Sequence, residues 1–584
     1  MGAHQFTAQI PEYLRHYIVQ QDSSVYTPID HASWRFILKI SKKFFAEHAH
    51  QKYLKGLSET GISAERIPLI EEMDHCLAKF GWRAVAVSGF IPPSVFMEFM
   101  SLGVLTIACD MRKLENLSYT PAPDIVHEAA GHAPIIADPE YRAYLRTYGE
   151  VSRKAIYSKQ DMDVYRAVRN LSDTKEDPQS TPAQIAAAQK QLDDASTALD
   201  HLSEASLLAR MGWWTFEYGL VGSLEHPKIF GAGLLSSVGE SYHCLNREIK
   251  KVPFSVNCIE TSYDITKPQP QLFVTPDFKT LEKGLDELAD TMAFRHGGIE
   301  GLKKAQRAAE TTTTVFDSGI QVSGILQTIL TDPKGAPCYL GWKGPVQLAL
   351  ADREIRGQGP AYHKEGFGSP VGTLKGGKLP SKLTDTDLAT YGFSGEAKSR
   401  LEFESGVVVE GVLKRSAREA GQTQLIVFEN CQVRFGEQIL FQPEWGTYDM
   451  ACGAAITSVF GGAADRAKYL EYIGFDPKPG KQKSNLTADN RDLNKLYAVV
   501  REIREKGAKT QSLASAEIER LNRVSATLQG SFSDDWLLRI ELLELDQSYQ
   551  LKSTWSAGLK HDLKRIAGTG ADRSEMIKRG LEVL

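Results

Sequence analysis

The sequence predicts a mainly α domain with short strands, followed by a β-rich module and a helical C-terminal tail. Three observations predict it. Up to about residue 305, apolar residues recur at helical spacing. After Thr311–Thr314 the pattern changes to short β-like runs set off by Gly and Pro. Beyond about residue 490 the helical stripes return. At 584 residues the chain is too long for one hydrophobic core, so two or three domains are expected. The expected boundaries are an N-terminal tail over 1–25, an α domain over 26–310, a β-rich module over 311–455 and a helical region over 456–584.

In the α domain, Trp34, Ile37, Leu38 and Ile40 mark a helix over Tyr26–Ala46, and Ile70, Met73, Cys76 and Leu77 one over Ile67–Phe80. Short strands are predicted at Arg83–Val87 and Val104–Ala108. The stretch Asp173–Ser206 is polar and Ala/Gln-rich. Within it, Thr181, Pro182 and Gln184 stand at N-cap, N1 and N3 of a helix, and Ile185, Leu192 and Leu199 fall seven apart. This predicts an inserted helical hairpin over about 173–206. In the β-rich module, strands are predicted at Gly319–Leu330, Val346–Leu350, Val407–Leu413, Gln424–Phe428 and Gln438–Phe441. A Gly/Pro/Lys-rich loop, Gly357–Lys382, lies between them. In the tail, Leu493, Leu496, Val500 and Ile503 form one stripe, and Ile518, Leu521, Val524 and Leu528 another. Such stripes pack either a core or a contact in a homo-oligomer. No tandem repeat of 20–50 residues is present.

Composition narrows the function classes. The chain is 42% hydrophobic and 24% charged with a net charge of −5, which gives no electrostatic reason to expect nucleic acid or an anionic membrane. The seven cysteines are scattered and form no C-x-x-C pair, as expected of free thiols in a reducing cytosol. Ala84–Cys109 is long enough to span a bilayer, but Gly89, Pro92-Pro93 and Glu98 interrupt it. It reads as buried strand, turn and helix. The N-terminus lacks a signal-peptide pattern, and Phe6 stands where a myristoylation site wants Ser or Thr. The expected compartment is the cytoplasm.

The stretch Pro121–His132 carries the chemistry. Two prolines and Asp124 mark a helix start, followed by His127-Glu128-Ala129-Ala130-Gly131-His132. On a straight helix, histidines five apart point about 140° away from each other, unlike the four-residue spacing of H-E-x-x-H zinc sites. They can share a metal if the helix is distorted, which Gly131 allows. Otherwise they are two histidines packed near a helix end. Glu217 is a lone carboxylate in the aromatic run Trp213-Trp214-Thr215-Phe216-Glu217-Tyr218. Such surroundings call for a cation partner, either a metal or a buried Arg or Lys. Two imidazoles and a carboxylate make the facial triad that holds iron(II) with open positions for oxygen and substrate.

Four blocks in one order extend this pattern: Tyr119–Asp124 running into His127–Pro134, then Trp213–Leu220, then Gly231–Glu240. Over roughly residues 26–300 the chain resembles the tetrahydropterin-dependent aromatic amino acid hydroxylases, most of all the bacterial phenylalanine 4-monooxygenases. The resemblance implies a mono-oxygenase using Fe(2+), a tetrahydropterin (tetrahydrobiopterin or a relative) and O2 on a free aromatic amino acid. Phenylalanine is the first expectation, tryptophan or tyrosine the next. His127, His132 and Glu217 would hold the iron, with Ser236 orienting His127 beside the substrate. Arg112, supported by Asp124, would take the substrate carboxylate. Thr120, Pro121 and Trp213 would line the amino acid pocket. The pterin would sit on Val87, Ser88, Gly89, Phe90 and Ile91, stacked on Phe96 with Glu128 facing its ring.

The chain departs from the family pattern in places. Thr106 stands where many relatives have a histidine, Tyr218 replaces a phenylalanine and Gly212 a bulkier aromatic. Glu217 follows His132 by 85 positions, about twice the family's gap, which the hairpin explains. The 270 or so residues after the resemblance are unfamiliar. Two other readings stand beside this one. The first is a zinc peptidase with an H-E-x-x-x-H site and Glu128 as general base. The second is a non-catalytic protein in which the C-terminal module dominates.

Overall fold

Thr27 starts the first long helix. Its hydroxyl accepts from the Asp30 amide at 3.1 Å, and the Asp30 carboxylate accepts from the Thr27 amide at 2.8 Å, closing a capping box. The helix runs Pro28–His48 and buries Trp34, Ile37, Leu38 and Ile40. The structure is a computed structural model of the chain. It describes residues 6–584 except 90, 119–122, 177–178, 266, 394–396, 420 and 475–479.

Strands Arg83–Val87 and Val104–Ala108 pair in parallel, joined by the helix Pro93–Ser101. A four-stranded sheet, ordered Pro227–Ile229, Leu220–Gly222, Gln271–Thr275, Lys250–Pro253, flanks the site. The second predicted helix is shorter than expected, Ile70–Leu77 followed by one 3₁₀ turn. The N-terminal tail also differs from expectation. Ile10, Leu14 and Tyr17, at i, i+4 and i+7, bury one face against Val85, Phe99 and Val104.

The inserted hairpin begins earlier than its change in composition. Its helices are Lys159–Glu176 and Pro182–Thr197, the second opened by the Thr181–Gln184 capping box. Among residues 182–197 only Ala188 is buried, so the seam is mostly wet.

The β-rich module holds two antiparallel sheets. One runs Arg353–Glu354, Pro337–Leu350, Ile320–Thr331, Thr311–Phe316, Ile456–Gly461, with Gly366–Pro370 also on the long central strand. The other runs Ser399–Glu402, Val407–Glu419, Gln422–Phe435, Gln438–Phe441, with Tyr448–Ala451 beside Gln422–Phe435. Alternation divides the strand Gln422–Phe435 between two cores: Leu425 and Val427 face one, Ile426 and Phe428 the other. Ile456–Gly461 pairs with Thr311–Phe316, so the module extends past the boundary expected at 455. The register shift between Ile456 and Ser458 breaks the alternation there, which hides the strand from pattern reading. The loop expected over Gly357–Lys382 likewise contains the strand Gly366–Pro370.

Among the described residues, a short helix, Arg466–Tyr472, follows the module, and then five tail helices: Arg491–Thr510, Ser515–Ser531, Leu537–Ser548, Ser556–Ala567 and Ala571–Glu582. Their stripes are buried within this chain. Val500, Leu538, Leu542 and Ile577 belong to the same core as Trp34, Ile136 and Trp214. Arg35 of the first helix pairs with Glu541 at 3.1 Å and Glu544 at 2.5 Å, and Phe36 meets Trp536 edge to face at 5.0 Å. Among the described residues, no helix is long and apolar enough to cross a membrane.

Candidate active site

Asp124 organises the entry to the site. Its Oδ1 accepts from the His127 amide at 3.1 Å, while Oδ2 and Oδ1 accept from Arg112 Nε at 2.7 Å and Nη2 at 2.8 Å. Val126–His132 is then a π-helix rather than an α-helix. Its i→i+5 bonding widens the turn, so residues five apart fall close to one face. The 140° divergence expected of a straight helix is thereby removed. The rings of His127 and His132 lie 5.1 Å apart. Gly131 permits the close packing this needs, since a Cβ there would stand 2.7 Å from the Ala232 carbonyl oxygen. Glu217 ends a second π-helix, Trp213–Glu217.

The three side chains converge. His127 Nε2 is 3.3 Å from Glu217 Oε2, and His132 Nε2 is 3.2 Å from Glu217 Oε1. His127 Nδ1 lies 3.0 Å from Ser236 Oγ, whose hydroxyl donates to the Ala232 carbonyl at 2.7 Å. The serine oxygen therefore accepts from Nδ1–H, which leaves Nε2 as a lone pair aimed at Glu217. Among the described residues, both ring nitrogens of His132 are buried without a hydrogen-bond partner. His127, Glu128 and His132 also offer ligand atoms within 4.8 Å of one another, but Glu128 Oε2 is 3.9 Å from His132 Nε2. Glu217, close to both imidazoles, is the better third ligand.

Electrostatics ask for a cation at the same point. Burial alone would raise the Glu217 carboxyl, but His132 and His127 hold it well below the usual range. Burial opposes protonation of His127, yet Glu217 and then Glu128 push it up to about 9. Burial raises Glu128 despite the two histidines. Two carboxylates facing two imidazoles, whose attraction for a proton at His127 a metal ion would replace, fit a divalent metal.

Residues 8–162 and 186–297 match the family model described as biopterin-dependent aromatic amino acid hydroxylase. The chain is 30% identical over 273 residues to phenylalanine-4-hydroxylase of Pseudomonas aeruginosa, covering 46% of this chain and 86% of that one. The chain belongs to the biopterin-dependent aromatic amino acid hydroxylases. The hydroxylase of Chromobacterium violaceum is 28% identical over 259 residues, covering 44% of this chain and 72% of its own. A crystal structure of that enzyme with iron(III) and 7,8-dihydrobiopterin aligns with a TM-score of 0.37 at 26% identity, over 47% of this chain and 86% of that one. The stretch that the hydroxylase model omits, 163–185, lies in the inserted hairpin. Membership removes the zinc-peptidase and non-catalytic readings.

The hydroxylase site differs in detail from what its sequence suggests. Trp213 was expected to pack the substrate ring, but it stacks on Tyr218 and on Tyr263, each with centroids at 4.4 Å. Both stacks hold the indole in place, and Trp213 Nε1 is buried without a hydrogen-bond partner among the described residues. Tyr263 lies far from every motif and gave no signal. Gly212 is explained by its neighbours, since a Cβ there would meet Tyr148 Oη at 2.7 Å and Phe216 Cζ at 2.8 Å. Thr106 is buried in its strand.

Arg112 is buried with its side chain 1% exposed, held by Asp124 and donating from Nη1 to the Ser236 carbonyl at 3.0 Å. Val87 is buried, Gly89 has φ +68°, and Ile91 and Phe96 are half-buried. Phe90, Thr120 and Pro121 lie outside the described residues.

Proposed function

We propose that this protein is a phenylalanine 4-monooxygenase, converting phenylalanine to tyrosine with iron(II), a tetrahydropterin and O2. The observation that carries the metal assignment is the convergence of His127 Nε2 and His132 Nε2 on Glu217, at 3.3 and 3.2 Å. The substrate assignment rests on the phenylalanine hydroxylases to which the chain is similar. Bound iron and pterin together supply the oxygen activation.

The chain's own residues bind and orient. His127, His132 and Glu217 present three ligands on one side of the metal and leave the other side open. Ser236 sets the His127 tautomer. Arg112 has five N–H donors, of which three go to Asp124 and Ser236. Among the described residues, one N–H then remains on each terminal nitrogen, a pair suited to a carboxylate. Asp124 is thus a positioning residue that links the amino acid site to the first turn of the histidine helix. Trp213, stacked on Tyr218 and on Tyr263, gives the aromatic pocket a rigid edge. Val87, Ser88, Gly89, Ile91, Phe96 and Glu128 form the pterin side. Residues 26–310 and the helical tail act as the hydroxylase, and 311–461 form a separate lobe.

The test is tyrosine formation by purified protein given iron(II), phenylalanine and oxygen, with and without tetrahydropterin. Pterin-dependent tyrosine formation is expected. Product only from tryptophan or tyrosine would overturn the substrate and keep the chemistry. No pterin-coupled product from any of the three would overturn the reading.

A further inference from the structure

Between the β-rich module and the helical tail, residues 480–485 cross the catalytic half as a strap. Gly480 lies against the backbone of Ser88, so closely that a Cβ would stand 2.6 Å from the Ser88 carbonyl oxygen. The Lys483 amide donates to Asp110 Oδ1 at 2.8 Å. The other oxygen of that carboxylate accepts from Ser88 Oγ and from the Gly89 amide, each at 3.2 Å. One carboxylate therefore joins the strap to two residues of the expected pterin loop.

The strap is anchored on both sides of this bridge. Gln482 Oε1 accepts from the Asp22 amide at 2.8 Å, and Asn485 Nδ2 donates to Asp30 Oδ1 at 2.8 Å and to the Met111 carbonyl at 2.9 Å. Met111 precedes Arg112, so the same strap holds the chain beside the expected carboxylate clamp. Past Asn485 the chain enters the helix Arg491–Thr510, whose Asn494 Oδ1 accepts from the Ile29 amide at 3.2 Å. The strap is thus fixed at its far end by a helix buried in the hydroxylase core.

Gly89 has φ +68°, and among the described residues nothing lies within 4 Å of its Cβ position. The Asp110 carboxylate, which accepts from Lys483, Ser88 and Gly89, ties it to the strap by charge-assisted hydrogen bonds instead. We propose that the 480–485 strap, acting through Asp110, is a positioning element of the cofactor site. It orders Ser88 and Gly89 so that they meet the pterin. The inference rests on the assignment of these two residues to the pterin site.

Gly480→Val pushes the strap off Ser88, and Lys483→Pro removes the donor to Asp110. Lys481→Ala, at an exposed position of the strap, keeps both links and serves as the control. Amide exchange of the peptide spanning 84–91 reports the strap directly, and steady-state kinetics report the cofactor. Both disruptive variants are expected to speed exchange there and to raise the pterin KM about tenfold, the equivalent of one hydrogen bond to a charged group. The amino acid KM, the iron content and kcat at saturating pterin should stay within about twofold. Lys481→Ala should match the parent. Unchanged exchange in both disruptive variants would overturn the strap's role. Faster exchange with an unchanged pterin KM would also overturn the proposal, and would locate the failure in the assignment of Ser88 and Gly89 to the pterin. A rise in all kinetic constants with loss of iron would mean a merely structural role.

Discussion

The β-rich module and the helical tail both follow residue 310, yet they relate to the metal site in opposite ways. The module closes its apolar surface mostly on itself. Leu340, Trp342 and Leu348 pack with Leu425 and Val427, while Ile426, Phe428 and Met450 fill a second core. It also meets the catalytic half, through Ile156, Leu302 and Ala305 in its core, the Gly461 amide donating to the Lys154 carbonyl at 3.0 Å and Ser458 Oγ donating to the Phe294 carbonyl at 2.8 Å. The tail has no comparable core of its own. Leu538, Leu542 and Leu563 join the core that contains Trp34, Ile136 and Trp214. Arg579 donates to the Val238 carbonyl at 2.6 Å and lies 3.5 Å over the Tyr242 ring, two and six residues beyond Ser236. Order along the chain is therefore a poor guide to dependence. The segment farthest from the histidines in sequence is built into the domain that holds them.

The largest expected effect lies at the site itself. Glu217→Ala should abolish iron retention and lower hydroxylation by at least about 10³-fold, while the melting of the β-rich module stays in place. Metal analysis and calorimetry on one sample check both parts. A variant that keeps its iron would mean that Glu128, not Glu217, is the third ligand.

Next comes the seam between the tail and the first helix. Arg35 is 5% exposed on its side chain and faces Glu541, 4% exposed. Arg35→Ala leaves Glu541 with Arg504 alone and Glu544 with Lys39 alone, and should cost about 3 kcal/mol. Iron loss and activity loss should follow the same denaturation curve. If activity outlasts the tail's unfolding, the tail is not part of the hydroxylase unit.

A matched pair of cavity variants sharpens the contrast. Leu542→Ala and Leu348→Ala each remove a fully buried leucine and should each cost about 2–5 kcal/mol. Only the first should lower the temperature at which activity is lost. Equal effects on activity would show that the two regions unfold together.

The smallest effect is a pH dependence at Glu240, in the helix that the tail touches through Val238. Burial raises this carboxyl to about 7. Its folded-state pKa is above the unfolded one, so its contribution is fully present below about 4.5 and is lost as pH rises through 7. Glu240→Gln should therefore match the parent in Tm near pH 4 and exceed it above pH 7.5. Equal Tm values at both pH values would mean that the group titrates normally.

Some of this was legible in the residues alone. The helix carrying Trp34, Ile37, Leu38 and Ile40, the strands Arg83–Val87 and Val104–Ala108, and the hairpin start at Thr181 follow from side chains within a few positions of each other. Local hydrogen bonding and periodicity determine them. The histidine pair and the isolated Glu217 were readable as candidates because a carboxylate among aromatics needs a cation. Tertiary structure decided the rest. The π-turns that bring His127 and His132 onto one face depend on Gly131 meeting Ala232, a contact a hundred residues away. Tyr263 covers Trp213 because two distant segments meet, and no spacing announces it. The tail's stripes could have served a core or an oligomer, since a helical stripe records that a face is buried but not against what. The strap at Gly480 is the extreme case: a few polar residues without pattern, given meaning only by the Asp110 carboxylate across from them.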